Sequence, residues 1–203
     1  CQGDEVLQQD FVVPEGYMPV SFTFSAPDML DVDTKGVDPD GKGVNSMILF
    51  CFDNFGMYIS LVEVTSAEID HLGGNYPYLK GKIANTLIPE NTRRIHFVAN
   101  QSMDSFDEDE FKGQSEDVVM KKLEGSSGMM IYWGYFAPDG IGVTDSEAFK
   151  EALTTAHGPE GNALRLLRNQ ARFNVSAGTS GFTVSGFTVV NTNAFGTVAP
   201  HHP

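Results

Sequence analysis

The sequence predicts a mainly β protein, a β-sandwich with two short helices inserted. Three observations point there. Short apolar or alternating segments recur between clusters of Gly, Pro, Asn and Asp, which is how strands joined by turns read. Glycine (21 residues) and phenylalanine (15 residues) are abundant in a chain of 203, and basic residues are few. Two stretches carry helix-start chemistry ahead of an apolar pattern. At this length one large domain is a better expectation than two small ones.

Taken in order, residues 1–19 read as a tether, polar at first, then Phe11, Val12 and Val13 broken by Pro14, Gly16 and Pro19. Val20, Phe22 and Phe24 alternate with Ser21, Thr23 and Ser25, the period of a half-buried strand. Residues 26–45, punctuated by Pro27, Gly36, Pro39, Gly41 and Gly43, form a long loop, a length that commonly has a functional reason. Residues 47–52 are apolar on both faces and suit an inner strand. Asp53, Asn54, Phe55 and Gly56 make a turn, and residues 57–64 return, so 46–64 is a hairpin. A second strand pair is expected from residues 78–83 and 94–99. Residues 101–112 read as an acidic loop.

Residues 115–123 read as a short helix with Glu116 and Asp117 in its first turn, where carboxylates suit the helix dipole. Residues 129–136 form a strand ended by Pro138 and Gly140. Thr144 and Glu147 have capping-box spacing ahead of a helix over 145–156. Residues 164–175 read as a long strand, turned at 177–181 and returning over 182–190, with a bulge near Gly186 and Phe187. The domain spans residues 20–200, leaving room for a C-terminal domain outside this chain.

Charge and cysteine usage narrow the function classes. Hydrophobic residues are 41% and charged residues 20%, values of a folded soluble protein. A net charge of −14 argues against nucleic acid, whose phosphates need a basic face, and against direct adsorption on anionic lipid. No apolar run reaches the roughly 20 residues that cross a bilayer. Membrane attachment would therefore be covalent or through a partner. Cys1 followed by a polar stretch resembles a bacterial lipoprotein after signal-peptide removal, so Cys1 is the expected acylation site. Two or three acyl chains would anchor it stably. Cys51, inside an apolar run, is expected to be a buried core thiol. Two cysteines make no disulfide framework.

No motif points to catalysis or to a metal or cofactor. The acidic, glycine-rich stretch 31–43 lacks the ligand spacing of a calcium loop. Asp107, Glu108, Asp109 and Glu110 read as a solvated charge run. His71, His96, His157, His201 and His202 pair with no other ligand at zinc spacing, and His96 falls in a strand as a structural residue. Gly178, Thr179, Ser180 and Gly181 brush against a nucleophile elbow but are followed by Phe182 and join two strands.

Several segments together resemble the N-terminal domain of the Bacteroidales fimbrillins, the FimA/Mfa-like major fimbrial subunits. They are Cys1 with its polar tether, the alternating strand PVSFTFS, the acidic loop with Lys35 and Gly36, VNSMILFCFDNFG, ENTRRIHFVANQS, MIYWGYFAP, ALRLLRNQARFNV, GFTVSGFTVVN and GTVAP. Their order covers most of residues 20–200. The resemblance implies a transthyretin-like β-sandwich exported as a lipoprotein to the outer membrane or fimbrium. It implies partners among other fimbrial subunits, joined by strand addition, and a host or bacterial surface ligand for adhesion. In that family a surface protease cuts the loop after the first strand, and a neighbour's strand fills the groove left behind. Lys35 and Gly36 are then the candidate processing site, and Val20, Phe22 and Phe24 the exchangeable strand. Lys35 stands where the family usually has arginine, so an unprocessed anchor or accessory subunit also fits. Two readings from other classes stay open: a lipid-anchored glycan binder using Tyr76, Tyr78 or Trp133 as a stacking surface, and a surface hydrolase.

Overall fold

The computed structural model describes residues 12–27, 43–72, 79–104, 106–123, 130–138, 145–169, 177–178, 180–188, 190 and 198–199. Its organising element is the six-residue strand β2, Met47–Phe52, in which every residue is buried. An alternating pattern is absent because both faces of this strand are covered. Met47, Leu49 and Cys51 point into the core between the sheets, while Ile48, Phe50 and Phe52 point into a second apolar cluster on the outer face. The hairpin expected over 46–64 forms: β2 pairs antiparallel with β3, Tyr58–Val64. Its turn is built by Asp53, whose Oδ1 accepts the backbone N–H of Phe55 (2.8 Å) and of Met57 (2.9 Å). Gly56 supplies the positive φ of +74° that the turn requires.

Two sheets face each other. One has the order β3-β2-β6-β7-β9 and the other β4-β5-β1-β8. The further strands are β1 (Tyr17–Ser25), β4 (Ile69–His71), β5 (Lys80–Pro89), β6 (Arg94–Ala99), β7 (Tyr132–Phe136), β8 (Leu164–Arg165) and β9 (Leu167–Arg168). The β-sandwich is thus the fold, with three described helices: α1 (Glu108–Phe111), α2 (Glu116–Lys122) and α3 (Ser146–His157). The outer face of the five-stranded sheet carries α1, α2 and residues 198–199. Phe111, Val119, Met120, Leu123, Val198 and Ala199 close over Phe50, Phe52 and Val98 there.

Several expectations need correction. The segments 78–83 and 94–99 do not pair: β5 joins β1 and β4, whereas β6 joins β2 and β7 in the opposite sheet. The short connection between them turns a corner, because the N–H of Arg93 bonds to the Phe52 carbonyl (2.8 Å) and so hands the chain to β2. Strand β5 also runs to Pro89, past the expected end at Ile83. Period-two alternation fails after Ile83 because β5 has a bulge opposite Ser21, with Asn85 at φ +55°. The extra residue shifts the phase and returns Ile88 to the core.

The acidic stretch 101–112 is not all loop. Asp107 caps α1 by accepting the N–H of Asp109, and Phe111 is buried beneath it. The cap of α3 is Asp145, which accepts the N–H of Ala148 (2.7 Å), in place of the expected Thr144. Of the long strand expected over 164–175, the described residues 164–169 form two short strands, and the rest lies outside the described residues. The chain crosses from one sheet (β8) to the other (β9) at the buried Leu166. Of the returning strand expected over 182–190, the described residues form no strand, and Phe182 is 75% exposed.

Candidate functional site

The residues singled out as an exchangeable strand sit together in β1, and their surroundings define a slot. The strand begins at Tyr17, earlier than the alternation suggested, and takes Met18 and Pro19 into its ladder. Met18, Val20, Phe22 and Phe24 are all buried and belong to the core between the sheets. Burying each such side chain contributes roughly 1.5–3 kcal/mol. Phe22 meets Phe97 of the facing sheet edge-on, with ring centroids 4.9 Å apart.

The two long sides of β1 are held unequally. Along one side β5 pairs antiparallel from Tyr17 opposite Pro89 to Ser25 opposite Lys80. The bulge pins that register, since the N–H of Asn85 bonds to Ser21 Oγ (3.0 Å). Along the other side, among the described residues, the only strand partner is β8, parallel, at Phe24 and Ser25. Pro19, which lacks an N–H, is tolerated where no described strand pairs with it on that side. Helix α3 packs along β1. The Thr23 hydroxyl donates to the His157 carbonyl at the end of that helix (3.2 Å), and the N–H of Leu166 donates to the Ser25 carbonyl (2.9 Å). Phe149 and Leu153 of α3 are buried in the same core.

The chain re-enters the described structure at Gly43, and Asn100 fastens it there. Asn100, at φ +64°, donates its amide to the carbonyls of Gly43 (2.7 Å) and Met130 (3.1 Å) and accepts the N–H of Asn45 (2.9 Å). Lys35 and Gly36 lie outside the described residues, as do Cys1, Tyr76, Tyr78, His201, His202 and most of the stretch 31–43.

The other polar constellation is on the outer face of the five-stranded sheet. His96 of β6 is buried, and both ring nitrogens are engaged. The indole N–H of Trp133 donates to Nδ1 (2.9 Å), and Nε2 lies 2.6 Å from Glu116 Oε1. An indole nitrogen only donates, so Nδ1 must accept and Nε2 must carry the hydrogen. Arg94 Nη1 bonds to the second oxygen of Glu116 (3.0 Å). Burial works to raise the Glu116 pKa, but the bonds from His96 and Arg94 outweigh it and hold the carboxyl below its usual range. With both nitrogens committed, His96 has no free position from which to act as a general base. Its role is to fasten α2 to β6 and β7, which agrees with the structural role expected for it.

Cys51 is buried as expected, and burial pushes its thiol up to about 12, so it stays unreactive. The acidic run lies at the surface as expected, with Asp107, Asp109 and Glu110 exposed, and some of its carboxylates also hold local structure. Glu108 accepts from the Tyr58 hydroxyl and the N–H of Leu61 (both 3.3 Å), and Asp109 pairs with Lys112. Among the described residues no group of three or more His, Cys, Asp or Glu could hold a metal ion.

Sequence reasoning missed Asn85, Gly81 and the α3 residues that complete the slot. The failed alternation between Ile83 and Ile88 was a usable sign of the bulge. Nothing local marks Gly81 as facing Phe24.

No family model and no curated protein matches the sequence. Two solved structures from Parabacteroides distasonis ATCC 8503 are similar to this chain. One is a protein provisionally assigned to cell adhesion, with a TM-score of 0.44 and 13% identity over 74% of this chain and 45% of that one. The other is a fimbrial assembly protein, with a TM-score of 0.47 and 12% identity over 92% of this chain and 68% of that one. This chain spans less than half the length of the first.

Proposed function

We propose that this chain is a structural or accessory subunit of a bacterial surface fimbria that assembles by β-strand addition and supports adhesion. The observation that carries the reading is the placement of β1. Four buried side chains commit it to the core, one full-length ladder holds it, and among the described residues its other side has a strand partner only at its last two residues. Withdrawing it would uncover β5 and the apolar side chains opposite, a groove that main-chain pairing with a guest strand can refill. Cys1 acts as the lipid anchor and the residues ahead of Tyr17, where β1 begins, as its tether, an arrangement that suits a subunit at the outer membrane or in the fimbrium. Lys35 and Gly36 mark where processing would free the strand.

Limited digestion with a lysine-specific protease, read by size-exclusion chromatography, tests the assembly step. The expected result is cleavage at Lys35 followed by oligomers or by uptake of a β1 peptide. A cut domain that keeps its first strand and stays monomeric in excess peptide would end this reading. Mass spectrometry of the protein from its native membrane is expected to find acyl chains on Cys1. An unmodified thiol there, or residues upstream of it, would remove the anchor.

The glycan-binding reading has one observation in its favour. The Trp133 and Tyr135 rings lie parallel to within 9°, centroids 6.3 Å apart, and Tyr135 is 38% exposed. The Trp133 indole is committed to His96, however, and its ring packs against the outer apolar cluster. Quenching of the single tryptophan by surface oligosaccharides would favour this second reading.

A further inference from the structure

We infer that Gly81 is the selectivity key of the β1 slot: it is a notch that accepts an aromatic ring, so a strand filling the slot must carry an aromatic side chain at the position of Phe24. The inference rests on the strand-addition reading for its partner and on packing alone for the notch. Gly81 lies directly opposite Phe24 in the β1–β5 ladder. A Cβ built on Gly81 would come within 2.5 Å of Phe24 Cζ and 2.6 Å of Cε1, so the ring occupies the place where any other residue would put its side chain. The same Cβ would lie 3.0 Å from Ile69 Cγ2, so β4 closes the notch from behind.

The ring has little room to yield. Phe24 is fully buried, and on its other side it pairs with Leu164 of β8. Two neighbouring features set the strand's position over the notch. The bulge at Asn85 bonds Ser21 and fixes the ladder, and the Thr23 hydroxyl is held by the end of α3. A one-residue slip would turn the apolar set out of the core and empty the notch. The partner this slot fits is therefore an extended, uncharged segment of another chain. Its apolar residues occur at every second position, a hydroxyl residue stands next to last in the buried run, and an aromatic residue ends it.

The experiment places a site-specific protease sequence at Lys35 and Gly36, nicks the folded chain, and offers labelled peptides of residues 17–25. The native peptide is expected to be retained, and the F24A peptide to bind at least about tenfold more weakly. In a nicked G81A chain the order should reverse, with F24A preferred over the native peptide. Equal uptake of both peptides by both chains would overturn the selectivity claim and leave strand addition standing. Uptake of no peptide would end strand addition, and the uncut chain then decides the notch. There G81A should lower Tm by several degrees, and adding F24L should recover part of the loss. A double variant that melts lower still would overturn the notch itself.

Discussion

Replacing Phe22 with alanine should destabilise the intact protein by roughly 3–5 kcal/mol, read as a lowered urea midpoint at constant slope. The ring is fully buried and packs edge-on against Phe97 in the other sheet, so its loss removes both transfer energy and an inter-sheet contact. The site cannot easily collapse. The bulge at Asn85 holds the neighbouring register, and β6 and β2 behind Phe97 are fully paired. An exposed apolar position such as Val12 serves as the control and should change stability by less than about 0.5 kcal/mol. A Phe22→Ala loss no larger than that of the control would mean that β1 is not part of the core, and the slot would lose its physical basis.

Removing the carboxylate of Glu116 should cost roughly 1.5–3 kcal/mol at neutral pH, because it leaves the buried His96 N–H and the Arg94 guanidinium without their acceptor. The same group makes stability fall in acid. Its folded-state pKa is depressed, so its contribution is present above the ordinary glutamate value of 4.5 and is lost as pH falls through the lower folded value. Stability measured from neutral pH down past that window should therefore drop more steeply in the native protein than in Glu116→Gln. Parallel curves for the two proteins would assign the acid response elsewhere. The single tryptophan gives a second readout, since Trp133 bonds to His96 and its emission should shift as the cluster loosens.

The elements that were legible in the sequence are those whose pattern answers to one local rule. Alternation in Val20, Phe22 and Phe24 marked an in-facing strand, and an unbroken apolar run marked the doubly covered strand 47–52. Acidic first-turn residues before an apolar face marked α2. Asp53 and Gly56 marked the turn between β2 and β3. Each of these is set by neighbours within a few residues, through steric period, capping or turn chemistry.

What the tertiary structure alone decided is partnership. The residues 78–83 and 94–99 look like a hairpin by proximity, but Arg93 bonds across to Phe52 and sends the second strand to the other sheet. The described residues 164–169, which read as one strand, are divided between the sheets because Ser25 partners Arg165 and Tyr132 partners Arg168. The notch at Gly81, the clasp of α3 on Thr23 and the His96, Glu116 and Trp133 bonds join residues from 20 to more than 130 positions apart. Sequence determined which strands could be apolar on which face, because side-chain period is local. Which strand fills which slot depends on shape and hydrogen-bond complementarity between distant segments, and that exists only once the chain has brought them together.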